Sequence, residues 1–258
     1  GGAAECAVPS NADVVDLVGA DRAVVLAAMA EASAIIVRSA TKVDREMIEA
    51  APGLTVIGRA GIGTDNIDLD AATERGVMVV NAPDANTISA AEHTMALILA
   101  QARRVAEADR SLREGRWERS RFQGMELHGK TLGVLGLGKI GTLVAQRASA
   151  FGMHIIAYDP YVSADRARRL GVTMATFDEV LEAADVLTIH LPRTPKTENL
   201  IDADAIARMR DGVRIINVAR GGIVSEQDLA DAVRSGKVGG AAVDVFAIEP
   251  TTDSPLFD

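Results

Sequence analysis

Apolar and polar positions along the chain follow two alternating rhythms. Short β-branched runs come first: "AECAV" (4–8), "AIIVRS" (34–39), "LTVIGRA" (54–60) and "VMVVNA" (77–82). Amphipathic stretches near 21–31, 43–51 and 68–75 separate them, and Thr41 with Asp44 matches a capping box at a helix start. Continuous apolar strands divided by helices imply a parallel sheet covered on both faces. A long helical pattern follows, from about Ser89 to Glu114, carrying Met95, Leu97, Ile98, Leu99 and Val105. After the polar stretch "EGRWERSRFQGMELHGK" the strand–helix rhythm resumes. Its strands are "TLGVLG" (131–136), "HIIAYD" (154–159), "VTMA" (172–175), "DVLTIHL" (185–191), "RIINVA" (214–219) and "AAVDVF" (241–246). Six strands with intervening helices make one doubly wound domain. The fold class is therefore α/β, with two doubly wound parallel-sheet domains. "NAPDAN" interrupts the pattern and sets the expected division at 1–85 and 86–258.

Composition narrows the possible partners. The chain has 258 residues, 48% hydrophobic and 3% aromatic, so Ala, Val, Ile and Leu must fill the core. A net charge of -9 argues against nucleic acid or membrane as the main partner. The single cysteine, Cys6, leaves no internal disulfide framework and fits a reducing compartment. With no apolar run near the ~18 residues of a membrane span and no signal-peptide pattern at the start, a cytoplasmic location is expected. No metal-ligand spacing stands out. The first residue is Gly1 rather than Met, which points to an incomplete N terminus.

The clearest chemistry lies in "VLGLGKIG", where Gly136, Gly138 and Gly141 have G-x-G-x-x-G spacing. The motif follows an apolar strand and opens a helical run, the context a dinucleotide loop needs. Gly136 permits the tight turn, Gly138 lets a pyrophosphate approach the backbone, and Gly141 lets helix and strand pack closely. The helix N terminus adds free N–H groups and the positive end of its dipole. The next strand ends in Asp159, close to the ~20-residue interval at which an acid accepts from an adenosine ribose and repels a 2′-phosphate. NAD is thus favoured over NADP.

Hydride transfer from an alcohol also needs a cation for the substrate and a base for its proton. "RIINVARGG" ends a strand at Arg220, whose guanidinium can grip a carboxylate with two hydrogen bonds. "AAVDVFAIEP" ends another at Asp244, with Glu249 just beyond. By spacing alone, Arg220 is equally well a surface ion-pairing residue and Glu249 a loop acid.

"GRAGIGTDNID", "GLGKIG", "YDP", "NVARGGIV" and "DVFAIEP", in that order, resemble the D-isomer-specific 2-hydroxyacid dehydrogenases. "VRSATKV", "SAAEHT" and "GRWERSRF" resemble the branch acting on 3-phosphoglycerate. The resemblance runs from about Ala34 to Phe257. It implies a flavodoxin-like substrate domain before a Rossmann NAD-binding domain. The implied reaction is oxidation of 3-phosphoglycerate to 3-phosphohydroxypyruvate, the first step of serine biosynthesis. The alternatives are a glyoxylate/hydroxypyruvate reductase or D-lactate dehydrogenase type of enzyme, and a non-catalytic NAD-sensing scaffold like a co-repressor.

The resemblance also implies residue roles. Arg220 binds the substrate carboxylate and carbonyl oxygen, Glu249 holds a catalytic histidine, and Asp244 holds the nicotinamide carboxamide. Lys139 and Ile140 contact the pyrophosphate, and Asp159 the adenine ribose. His190, Leu191 and Pro192 line the adenosine side, and Val218 and Ala219 join Arg220 in the cofactor set. The backbone of Ala60, Gly61 and Ile62 cradles the carboxylate, with Ile62 also counted toward the cofactor. Arg38, Ser39 and Arg59 face the phosphorylated end of a small anionic 2-hydroxy acid. The arm bearing Trp117 implies a homodimer or homotetramer, with Arg119 or Arg121 reaching the partner's substrate site. The family's catalytic histidine sits in a "PHLGAST"-like motif that His93, His128, His154 and His190 do not supply. The expectation is an interior portion of a longer chain, lacking the first strand and the histidine segment.

Overall fold

The structure is a computed structural model that describes residues 12–257; the expected strand "AECAV" lies outside them. The chain divides into two compact units, Gly1–Thr87 and Ile88–Asp258.

In the first unit α1 (Arg22–Met29), β1 (Ala34–Val37), α2 (Arg45–Glu49), β2 (Val56–Arg59), α3 (Leu69–Glu74) and β3 (Met78–Asn81) follow one another. The strands pair in parallel in the order β1-β2-β3. Met29, Val37, Ile48, Ile57 and Ala72 join all three helices to one core cluster. The opposite sheet face leaves Ile36, Met78 and Val80 exposed. The helix cap differs from the expected Thr41 box. Val43 is held in a parallel bridge to Ile67, donating its N–H to Asn66 O and accepting from Asp68 N. An extended Val43 forbids an earlier helical turn, so α2 starts only after the cap Asp44, whose Oδ1 accepts the Met47 N–H at 3.1 Å.

The second unit opens with α4 (Thr87–Ala102) and α5 (Val105–Arg113), then a 3-10 turn (Arg119–Phe122). The single long helix expected from Ser89 to Glu114 is broken here. Arg104 takes a left-handed conformation (φ 52), and the chain returning at Gly124–Met125 lies against the break. The Met125 N–H donates to Ala102 O at 2.9 Å, a carbonyl the helix would otherwise use. The left-handed residue costs ~1–2 kcal/mol. Arg104 offsets this through Glu107, through Arg121 O at 2.8 Å, and by lying over the Phe122 ring.

The remainder is β4 (Thr131–Leu135), α6 (Lys139–Ala150), β5 (His154–Tyr158), α7 (Ala164–Arg169), β6 (Thr173–Met174), α8 (Phe177–Ala183), β7 (Val186–Ile189), α9 (Ala203–Arg208), β8 (Val213–Asn217), α10 (Glu226–Ser235) and β9 (Val238–Val243). All strands are parallel, in the order β6-β5-β4-β7-β8-β9. α4, α6 and α7 bury one set of side chains with Leu132, Val134 and Ile216; α8, α9 and α10 bury another with Leu135, Leu187 and Ile215. Helices thus cover both faces, and β7 is buried at all four positions. The order reverses between β4 and β7, which opens a crevice at their C-terminal ends. The last strand begins earlier than "AAVDVF": it runs from Val238 through Gly239 and Gly240 and stops before Asp244. A Cβ on Gly239 would sit 2.6 Å from Gly212 O, so this close approach rests on glycine.

Candidate functional site

The glycine loop closes the end of β4. Gly136 has φ 95, donates to Tyr158 O at 2.8 Å, and lies so near His190 O that a Cβ would come within 2.6 Å. On Gly141 a Cβ would collide with Gly136 O, so α6 and the β4 turn touch backbone to backbone. On Gly138 a Cβ meets nothing within 4 Å. The three glycines therefore do different things: two allow close packing, and the middle one leaves open space at the helix N terminus, where Gly138 itself brings no capping side chain. That open cradle and its N–H groups fit a pyrophosphate. Lys139 and Ile140 open the helix beside it.

Asp159, one residue past β5, uses both carboxylate oxygens on backbone. Oδ2 accepts Leu137 N–H and Oδ1 accepts Tyr161 N–H, each at 2.8 Å. The acid is therefore fixed against the glycine loop, and each oxygen keeps a lone pair for a ribose hydroxyl. His190, past β7, has Nε2 3.0 Å from the buried Thr188 Oγ1. Burial lowers its pKa from 6.5 to about 4, so the ring is neutral at physiological pH. Leu191 touches Gly136, and Pro192 O accepts the Thr197 hydroxyl at 2.7 Å.

At the end of β8 the buried Asn217 shapes the next turn: its Oδ1 accepts Ala219 N–H at 3.1 Å and its Nδ2 donates to Arg220 O at 2.9 Å. Val218, Ala219 and Arg220 are half-buried on this turn, with Arg220 Nη1 donating to Ala219 O at 2.7 Å. Gly221 meets the Phe246 carbonyl so closely that no Cβ fits between them. That contact joins the Arg220 turn to the segment after β9. There Asp244 N–H donates to Asn217 O at 3.0 Å, and Glu249 Oε1 accepts Phe246 N–H at 2.8 Å. Asp244 Oδ1 lies 3.2 Å from His93 Nε2 on α4.

In the first unit Arg38 follows β1 and Arg59 ends β2, in neighbouring register since Val37 pairs with Arg59. Arg59 Nη1 donates to Ala60 O at 2.9 Å, and Gly61 has φ 155. Asn66 Nδ2 donates to Arg38 O at 2.9 Å and to Thr41 O at 2.6 Å, and Asn81 Nδ2 to Ile62 O at 2.7 Å. The unit thus holds two cations and the Ala60–Ile62 backbone at one sheet end. Ser39 is exposed there. Arg119 and Trp117 are on the exposed arm after α5, in the second unit.

Residues 95–258 match the family described as D-isomer specific 2-hydroxyacid dehydrogenase, NAD binding domain. The chain belongs to that family. It is 59% identical over 240 residues to D-3-phosphoglycerate dehydrogenase of Mycobacterium leprae (strain TN), covering 93% of this chain and 46% of that protein. The chain thus spans about half the length of the curated relatives it matches. Among solved structures, a glyoxylate reductase from Paecilomyes thermophila superposes with TM-score 0.81 at 35% identity, covering 88% of this chain and 70% of that one. D-Lactate dehydrogenase from Aquifex aeolicus, complexed with NAD and lactic acid, superposes with TM-score 0.81 at 34% identity, covering 86% and 67%.

Several residues that brace the candidate site residues within either unit give little or no signal in the sequence. Asn217 carried a signal, an amide in an otherwise apolar strand end. Asn66 and Asn81 carried little, because their partners Arg38, Thr41 and Ile62 lie in segments that follow β1 and β2, distant in sequence. Glu226 gave none beyond its place in the first turn of α10, yet its Oε1 accepts Ala247 N–H and its Oε2 the Ser254 hydroxyl, each at 2.7 Å. Glu226 thereby ties the segment that carries Glu249 to the helix. Among the described residues, no group of three or more His, Cys, Asp or Glu is arranged to hold a metal ion, and no helix is long and apolar enough to cross a membrane.

Proposed function

We propose that the protein carrying this chain oxidises the 2-hydroxyl of 3-phosphoglycerate with NAD, giving 3-phosphohydroxypyruvate, the first step of serine biosynthesis. The observation that carries the reaction class is the order of groups along one sheet edge. Asp159 stands past β5, the open glycine cradle past β4, Arg220 past β8 and Asp244 past β9. A dinucleotide laid across these ends has its adenosine ribose at Asp159, its pyrophosphate on the N–H groups of Lys139 and Ile140, and its nicotinamide by the β8 and β9 ends. NAD, when bound, supplies the hydride acceptor. Arg220 holds the substrate carboxylate by its two-pronged fork, and Asp244 accepts from the carboxamide. His190, Leu191 and Pro192 border the adenosine half, while Val218 and Ala219 border the nicotinamide half. Glu249 keeps one oxygen for an imidazole that takes the hydroxyl proton. Arg38, Ser39 and Arg59, with the Ala60–Ile62 backbone, hold the phosphorylated substrate.

The substrate assignment is supported by the name D-3-phosphoglycerate dehydrogenase borne by the relatives at 55–59% identity. It is supported also by the paired cations at the first unit's sheet end. The exposed arm of Trp117 (81% accessible) and Arg119 is proposed to meet a second copy; sedimentation equilibrium reads this directly, and a monomer refutes it.

Two titrations test the function. NAD should bind this chain more tightly than NADP, and Asp159→Ala should weaken NAD by about tenfold while narrowing that preference. A wild-type preference for NADP removes the ribose assignment. In turnover assays of the protein carrying this chain, Arg59→Ala should lower kcat/KM for 3-phosphoglycerate by about 10²-fold and for D-glycerate much less. Equal losses on both acids remove the phosphate role.

A further inference from the structure

α4 does more than cover the sheet. Ala91, Met95, Ile98 and Ala102 face the core at helical spacing, in the same cluster against which Val218 and Ala242 pack. This seats the helix against the ends of β8 and β9. His93 stands off the buried stripe and is 45% exposed at its side chain. Its Nε2 lies 3.2 Å from Asp244 Oδ1. At that distance the pair is in ion-pair range, and because a carboxylate only accepts, any proton between the two atoms belongs to the imidazole. Asp244 is anchored from one side by its own N–H on Asn217 O, and from the other its carboxylate faces an imidazole on a sixteen-residue helix.

We propose that His93 is a positioning residue for the nicotinamide end of the dinucleotide: it fixes one oxygen of Asp244, so that the other meets the carboxamide already oriented. The proposal rests on the reading of Asp244 given above. An unheld carboxylate at a half-exposed position samples several rotamers, and ordering it on binding costs part of the interaction. A pre-made contact to His93 lowers that cost without touching the ligand.

The test compares NAD with ADP-ribose, which keeps the adenosine and both phosphates but lacks the nicotinamide. Kd values for both are measured by calorimetry on this chain and on its His93→Ala, His93→Gln and Asp244→Ala variants. His93→Ala is expected to weaken NAD by about threefold to tenfold, the range for one hydrogen bond to a half-exposed charge. ADP-ribose should stay within about twofold of wild type. His93→Gln should recover most of the loss, because the Gln side-chain amide can also donate to Oδ1. Asp244→Ala should lose at least as much NAD affinity as His93→Ala, again sparing ADP-ribose. Equal losses for NAD and ADP-ribose in His93→Ala mean that the histidine merely supports the fold, and overturn the proposal. If Asp244→Ala weakens NAD while His93→Ala does not, the positioning role alone fails. If neither variant changes NAD binding, the assignment of Asp244 fails, and the proposal with it.

Discussion

Alanine at Gly141 is expected to cost the protein more than a hundredfold in NAD affinity, together with about 3–10 °C in Tm. The added Cβ collides with Gly136 O. Neither backbone can yield cheaply. Gly136 is held at φ 95 by its hydrogen bond to Tyr158 O, and α6 is locked by the buried Val144, Ala145 and Ala148. The helix must therefore withdraw from β4, taking its N-terminal N–H groups away from the phosphates. Overpacking of this kind costs about 1–3 kcal/mol. The control is Gly138→Ala, where a Cβ meets nothing within 4 Å and the backbone is extended (φ -71, ψ -159). That variant should melt like wild type and yet bind NAD poorly, since its methyl fills the open cradle. Calorimetry and thermal melts separate the two effects. Wild-type NAD binding by Gly138→Ala would mean that the loop does not hold the pyrophosphate.

The second large effect is a loss of stability in mild acid, centred on His190. Burial depresses its pKa to about 4 in the folded chain from 6.5 when unfolded. As pH falls the unfolded chain takes up the proton first. The histidine's contribution is thus present above about pH 6.5 and is lost progressively as pH falls to about 4. The shift corresponds to at most about 3 kcal/mol, less to the extent that water reaches this half-buried residue. Thermal melts across this window should show the wild type losing more stability than His190→Gln, which has no proton to gain. Carboxylates contribute to both curves, so the difference between them is the quantity to read. Parallel curves would mean that His190 titrates normally.

Much of the fold was legible because its determinants are local. The strand runs at 131–136, 154–159, 185–191 and 214–219 were readable because each is a short β-branched stretch whose apolar character is set by its own residues. The glycine spacing reported its loop because each glycine answers a backbone requirement within the turn itself. Where the reading failed, a distant segment had intervened. The helix pattern through Arg104 is unbroken in sequence, but Met125 returns to claim the Ala102 carbonyl. The Thr41 box is locally sound, but the Ile67 segment draws Val43 into a bridge.

For the site, the sequence by itself determined which groups are present: the glycine loop, Asp159 one strand later, Arg220 before two glycines, and Asp244 and Glu249 after the last strand. Their chemistry is carried by residue type and short spacing. Only the tertiary structure decided their states and partners. It closed both oxygens of Asp159 on backbone, set His93 against Asp244, made Glu226 a brace for the Glu249 segment, and desolvated His190 enough to lower its pKa. The physical reason is the same in each case. A hydrogen bond or a desolvation depends on distance in space, and parallel strands bring together at one sheet edge residues that lie far apart along the chain.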